Sequence, residues 1–194
     1  MLDQVLPWRG TDWNLKILDP ACGSGVFLVK AFQRLVHRWK QAHPGVTIKV
    51  EVLRRLLTDN LLGVDKDPHA VRVACFSLYL AMCDEIEPRY YWTQVRFPPM
   101  RDKRLICSDF FAAGEGFDDA VAAGHYDLVV GNAPWGDGLA TELSNSWAAR
   151  NDWEVANKDI GGLFLAKGAR LVHAGGRIAM IQSANALLFN ASGP

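Results

Sequence analysis

Asp19, Asp65, Asp109 and Asn132 share a setting: each follows a short apolar run and precedes a turn. Ile17-Leu18 leads to Asp19, Leu61 to Val64 to Asp65, Arg104 to Cys107 to Asp109, and Tyr126 to Gly131 to Asn132. Carboxylates only accept hydrogen bonds, so acids placed this way suit a ligand's hydroxyl or amino groups. The run before Asn132 is almost wholly apolar, and it opens into Asn132-Ala133-Pro134-Trp135, an amide beside a carbonyl-rich turn and an aromatic ring. Such a tetrad at the end of a buried strand points to chemistry more than to a plain turn.

A glycine loop follows the first acid, reading Asp19-Pro20-Ala21-Cys22-Gly23-Ser24-Gly25. A P-loop needs Gly-Lys-Ser/Thr, and Gly25 is followed by Val26, so no lysine is placed to grip a terminal phosphate. A dinucleotide fingerprint needs a third glycine where Leu28 stands, which disfavours NAD. Asp19 would repel phosphate but suits a ligand with an ammonium group, such as S-adenosylmethionine. The bland alternative is that Gly23 and Gly25 only make a tight turn.

The elements that must carry these residues are legible from pattern. Phe27, Leu28, Phe32, Leu35, Val36 and Trp39 recur at helical spacing after Gly25, and Pro44-Gly45 ends that helix. A second helix is expected over Val50 to Leu57, and a third, capped by Asp67 with Pro68 in its first turn, to about Met82. Met1 to Asn14 and Glu87 to Arg104 read as irregular, and Gly136 to Lys158 as a polar loop over a site. Asp159 is expected to open a helix through His173, closed by Gly175-Gly176, with a fifth strand over Arg177 to Ile181. Strands alternating with helices predict an open, doubly wound, mostly parallel α/β sheet. Acids at successive strand ends then share one edge, where Asp65 can take ribose hydroxyls and Asp109 an adenine amino group. Phe110 or Phe111 could lie against such a base or belong to the core.

Composition narrows the classes. The 194 residues carry 21 basic and 21 acidic side chains, so the chain lacks the positive field of an autonomous nucleic-acid binder. Cys22, Cys75, Cys83 and Cys107 are scattered without a Cys-x-x-Cys, and no run is long and apolar enough for a membrane span. A reducing cytoplasm fits this usage. No metal ligand set and no internal repeat is visible, and residues 1–194 read as one domain.

Taken in order, Asp19 to Gly25, Gly63-Val64-Asp65, Asp109-Phe110 and Asn132 to Trp135 resemble the motifs of bacterial adenine DNA methyltransferases of restriction-modification and phage-defence type. The resemblance covers Lys16 to roughly Leu188. It implies the methyltransferase fold, S-adenosylmethionine as cofactor, and methyl transfer to the exocyclic amine of adenine in DNA. It assigns Asp19, Pro20, Ala21, Cys22, Gly23, Ser24 and Gly25 to the cofactor's methionine, Asp65 with neighbouring Lys66 to ribose, and Asp109 with Phe110 to its adenine. Asn132, Ala133, Pro134 and Trp135 inherit the hold on the target base. Ala133 replaces the usual first proline of the tetrad, giving up a conformational lock while keeping the carbonyl. The family's helix after the loop commonly begins Asp-Leu-Tyr, whereas Asp159 here leads to Ile160, Gly161 and Gly162, two glycines that weaken a helix start. The family also has a segment before the glycine loop, further strands after the fifth, and a target-recognition domain. The chain is therefore expected to be the core of a larger modification enzyme, weakly active or inactive alone, its open sheet edge covered by a partner or second copy. Methyltransferases for release-factor glutamine or ribosomal guanine, and an inactive cofactor-fold subunit, are the alternative readings.

Overall fold

The computed structural model of the chain describes residues 1–114, 121, 126–134, 138–153 and 159–183. In chain order the elements are α1 (Leu2–Val5), β1 (Ile17–Asp19), α2 (Val26–Ala42), α3 (Val50–Asn60), β2 (Leu61–Asp65) and α4 (Pro68–Cys83). A 3-10 turn over Pro88–Tyr90 leads to α5 (Tyr91–Gln94), β3 (Leu105–Cys107) and β4 (Tyr126–Gly131). Then come α6 (Glu142–Arg150), α7 (Ile160–Leu171) and β5 (Val172–Met180). The strands form one sheet in the order β3-β2-β1-β4-β5, and every neighbouring pair is parallel. This is the open, doubly wound parallel sheet expected from the sequence. The first three strands step outward to one side and the chain then returns to place β4 and β5 on the other. Loops leaving β1 and β4 therefore diverge, and ligands of such sheets bind in the resulting crevice.

Parallel strands are covered on both faces, which is why these segments read as apolar runs rather than alternating ones. Ile17, Leu61, Leu105, Leu128 and Val130 meet Leu28, Phe32 and Leu35 of α2 and Leu53 and Leu57 of α3 on one face. Leu18, Leu62, Val64 and Val129 meet Phe110, Phe111, Trp147 of α6 and Phe164 of α7 on the other. Gly25 fixes how α2 leaves the loop: its φ is +84°, and a Cβ there would lie 3.0 Å from the Ala74 Cβ of α4. Asp67 Oδ1 accepts from His69 N at 2.8 Å to open α4. Asp159 Oδ1 accepts from Gly161 N at 2.9 Å, an anchor that lets a helix begin despite two glycines. Among the described residues no helix is long and apolar enough to cross a membrane.

Four segments differ from the sequence reading, the first being Glu87 to Arg104, read as irregular, which contains the 3-10 turn and α5. The polar stretch expected as a loop contains α6, stabilised by a reciprocal capping box between Thr141 and Ser144 and by burial of Trp147. The fifth strand begins at Val172, before the glycines rather than after them. Pairing shifts between Tyr126↔Val172 and Leu128↔Arg177, so Gly175, at φ +94°, sits in an irregularity within the strand instead of ending a helix. The lead-in has a turn of helix, α1, and buries Leu2 and Leu6. Among the described residues β5 is an edge strand.

Candidate functional site

At the carboxyl edge of the sheet the loops enclose a cavity of ≈ 330 Å³. Pro20, Ala21, Gly23, Asp65, Lys66, Asp109, Phe110, Asn132 and Pro134, all singled out from sequence, line it. Ser108, Leu139, Thr141, Ile160 and Phe164 line it as well and were not singled out. The last four come from the segment read as a loop and from α7, whose apolar members looked like ordinary core. The Thr141-x-x-Ser144 spacing was the signal that could have located the α6 start beside the site.

Asp65 holds the glycine loop in place. Its Oδ2 accepts from Gly23 N at 2.8 Å and its Oδ1 from Asp67 N at 2.9 Å. Each oxygen retains acceptor capacity towards the cavity, because a carboxylate has about four lone-pair sites. Asp109 is placed in the same way from β3: Oδ1 accepts from Phe111 N at 2.8 Å, and Oδ2 from the Thr141 hydroxyl at 3.3 Å. Phe110 stacks on Phe164 with centroids 5.2 Å apart, and is both cavity wall and core. Phe111 packs on Phe164 and Trp147 and belongs to the core alone. Lys167 donates to the Phe110 carbonyl and stands 4.8 Å from its ring, tying α7 to this turn.

Among the described residues, the remaining sequence-selected ones lie off the cavity surface. Asp19 is fully buried below the loop, and burial, with a smaller push from Asp65, raises its pKa to about 8 despite the bond from Ala21 N at 3.2 Å. Its Oδ2 is buried without a hydrogen-bond partner. Gly131 makes this approach feasible, since a Cβ there would lie 2.6 Å from Asp19 Oδ1. Cys22 is buried and donates its backbone N–H to the Val64 carbonyl at 2.9 Å, and burial pushes its thiol pKa far up. Ser24 is exposed, Gly25 faces α4, and Ala133 is buried with its side chain in the second core. Trp135 lies outside the described residues. Among the described residues no group of three or more His, Cys, Asp or Glu is placed to hold a metal ion.

The family described as Eco57I restriction-modification methylase matches residues 59–193. Among curated proteins, the adenine-specific methyltransferase PglX of Streptomyces coelicolor is 43% identical over 68 residues, covering 35% of this chain and 6% of that protein. The type II restriction enzyme and methyltransferase RM.Eco57I of Escherichia coli is 26% identical over 158 residues, covering 68% of this chain and 15% of that protein. The chain thus spans a small part of the length of the relatives it matches. In fold it is similar to the type IIL restriction-modification enzyme MmeI, solved in complex with DNA, with a TM-score of 0.63 and 19% identity over 88% of this chain and 25% of that one.

Proposed function

This chain belongs to the Eco57I restriction-modification methylase family, and from that premise we propose that it is the catalytic core of a larger enzyme that transfers a methyl group from S-adenosylmethionine to the exocyclic amine of adenine in DNA. The observation that carries this reading is the convergence of Gly23, Asp65, Asp109 and Asn132, from the ends of four parallel strands, on one cavity.

The residues fit the cofactor. The cavity's ≈ 330 Å³ falls in the range of small-molecule sites, about 300–1,000 Å³. Gly23, at φ +52°, has no atom within 4 Å of where a Cβ would stand, so its backbone is open to a close-approaching ligand. Asp65 and Asp109 supply acceptors for ribose hydroxyls and for the adenine amino group. Asp19, next in sequence to the cavity-lining Pro20 and Ala21, has a buried Oδ2 without a partner and holds a proton that it can release on pairing with a cationic amino-acid arm. When bound, S-adenosylmethionine supplies an electrophilic methyl group.

The chain's own residues must then activate a poor nucleophile, because the lone pair of an adenine amine is delocalised into the ring. Asn132 is exposed on the cavity wall, and Ala133 is buried with its side chain in the core beside it. The Asn132 side-chain oxygen and the Ala133 carbonyl each accept one amine hydrogen, which aims the lone pair and stabilises the positive charge that develops. Trp135 supplies a stacking surface for a base turned out of the duplex. With 21 charges of each sign, the chain leaves most phosphate contacts to other parts of the enzyme.

Titration of the chain with S-adenosylhomocysteine by calorimetry tests the cofactor, and tritiated methyl transfer to adenine-containing DNA by the polypeptide that contains these residues tests the reaction. Binding is expected, and Asn132→Ala is expected to abolish transfer while retaining it. Full transfer by Asn132→Ala would remove the tetrad from the chemistry. Transfer to a glutamine peptide in place of adenine would replace the proposed substrate.

A further inference from the structure

We propose that Thr141 is a positioning residue that sets the site's preference for an amino-bearing purine by orienting Asp109; this rests on the reading that Asp109 faces the cofactor's adenine. The Thr141 hydroxyl has two bonds of opposite sense. It accepts from Ser144 N at 3.1 Å, which caps α6, and it donates to Asp109 Oδ2 at 3.3 Å. The rest of the box is closed: Thr141 N donates to Ser144 Oγ at 2.8 Å, and that fully buried hydroxyl donates to the Thr141 carbonyl at 2.9 Å. With its lone pair directed at Ser144 N–H, the Thr141 proton is left pointing at Asp109.

Asp109 is consequently held by donors from two directions, Phe111 N in the turn after β3 and Thr141 at the start of α6. Both donors fix the plane of the carboxylate at the cavity wall, which Thr141 shares. A carboxylate so held offers only acceptors. It matches the 6-amino group of adenine and opposes the 6-oxo group of hypoxanthine. Without the hydroxyl, Oδ2 loses its anchor, and the carboxylate is free to turn away from the purine 6-position. Discrimination should then collapse even though Asp109 is still present.

The helix cap and the anchor make different demands at position 141, which separates the proposal from a purely structural role. Capping needs an acceptor, whereas holding Asp109 needs a donor. Serine supplies both, aspartate only the first, and valine neither. Calorimetry with S-adenosylhomocysteine and S-inosylhomocysteine, which differ at the purine 6-position, reads the outcome as a ratio of affinities. The unaltered chain and Thr141→Ser are expected to prefer the adenosyl compound by about tenfold or more, the scale of one hydrogen bond to a charged group. Thr141→Val and Thr141→Asp are expected to bind the two within about twofold, with circular dichroism showing α6 retained in Thr141→Asp. Asp109→Asn should lose the preference too. Equal binding of both compounds by the unaltered chain would overturn the adenine reading of Asp109 and this inference with it. Loss of preference in Asp109→Asn but not in Thr141→Val or Thr141→Asp would overturn the role of Thr141 alone.

Discussion

At the amino edge of the sheet, Arg38 of α2 donates Nε to the Pro7 carbonyl at 2.9 Å and Nη1 to the Asp12 carbonyl at 3.1 Å. His173 is bonded at both ring nitrogens, to Asp127 Oδ1 and to the Ala174 carbonyl, each at 2.8 Å. Asp127 Oδ2 accepts from Lys16 N at 2.7 Å. At the carboxyl edge, Asp65 and Asp109 are also anchored by their own chain, but they keep acceptor capacity facing a cavity, and Asp19 Oδ2 has no partner. The amino edge has the larger cavity, ≈ 420 Å³ against ≈ 330 Å³. Size therefore does not mark the site. What distinguishes the two sets of residues is that Arg38, Asp127 and His173 are consumed in joining segments of the chain, whereas Asp65 and Asp109 keep acceptors available to something that enters.

Two asparagines put this contrast to its strongest test. Asn132 follows β4 at the carboxyl edge, while Asn60 ends α3 at the amino edge, buried and donating to Asn14 Oδ1 and the Leu15 carbonyl, both at 3.0 Å. Asn132→Ala is expected to lower methyl transfer by about 10²–10³-fold, the usual cost of losing a group aimed at developing charge. Asn60→Ala should cost about 1–3 kcal/mol of stability, by leaving a buried carbonyl unpaired, with transfer per folded molecule unchanged. Thermal melts beside the tritium assay give both numbers. Exchange of the two phenotypes would break the comparison.

A pair of aspartates follows with a smaller effect. Asp65→Ala should weaken S-adenosylhomocysteine binding by about 10–100-fold through loss of ribose acceptors and slackening of the Gly23 turn. Asp127→Ala should leave affinity within about twofold, since its bonds to Lys16 and His173 only join β1, β4 and β5.

Buried Asp19 sharpens the contrast through pH. Its folded-state pKa, about 8, lies above the ordinary 3.8, so across that window the folded chain holds a proton that the unfolded chain releases. Stability is full below the ordinary value and is lost as pH rises through the window towards 8. Asp19→Asn should flatten this slope in denaturant titrations at successive pH values. An unchanged slope would mean that the carboxyl is ionised in the native fold.

Much of this edge was legible because acids after apolar runs are a local signal, and a parallel sheet puts such positions together whatever lies between them in sequence. Gly25 was legible in the same way, as the sharp exit from strand to helix. The wall formed by Leu139 and Thr141 was not, because residues 136–158 lack an apolar period. α6 instead depends on its capping box and on Trp147 packing against Phe111, a contact distant in sequence. The start of β5 was missed for a related reason. Gly175-Gly176 resembles a helix stop, and only pairing with β4 turns it into an irregularity within a strand. The depth of Asp19 was equally hidden, since its burial comes from Gly131 at the end of β4 allowing close approach.

The smallest expected effect is at His173, and it tests whether the amino edge is only structural. The Asp127 carboxylate, and then the Ala174 carbonyl, raise the His173 pKa above its ordinary 6.5. A raised value means that the folded state binds the proton more tightly, so the stabilisation is fully present below about 6.5 and is lost as pH rises through the folded value. The ring is solvent-exposed in part and its charge is screened, so the slope should be shallow. Asp19 titrates over an overlapping range, and the measurement therefore belongs in the Asp19→Asn background, where the remaining loss above pH 6.5 should vanish on adding His173→Gln. In the same proteins, S-adenosylhomocysteine affinity should follow one pH profile with or without His173. Affinity that tracked the imidazole instead would mean that the charge at the amino edge is felt across the sheet, and the division between an edge that joins and an edge that binds would have to be given up.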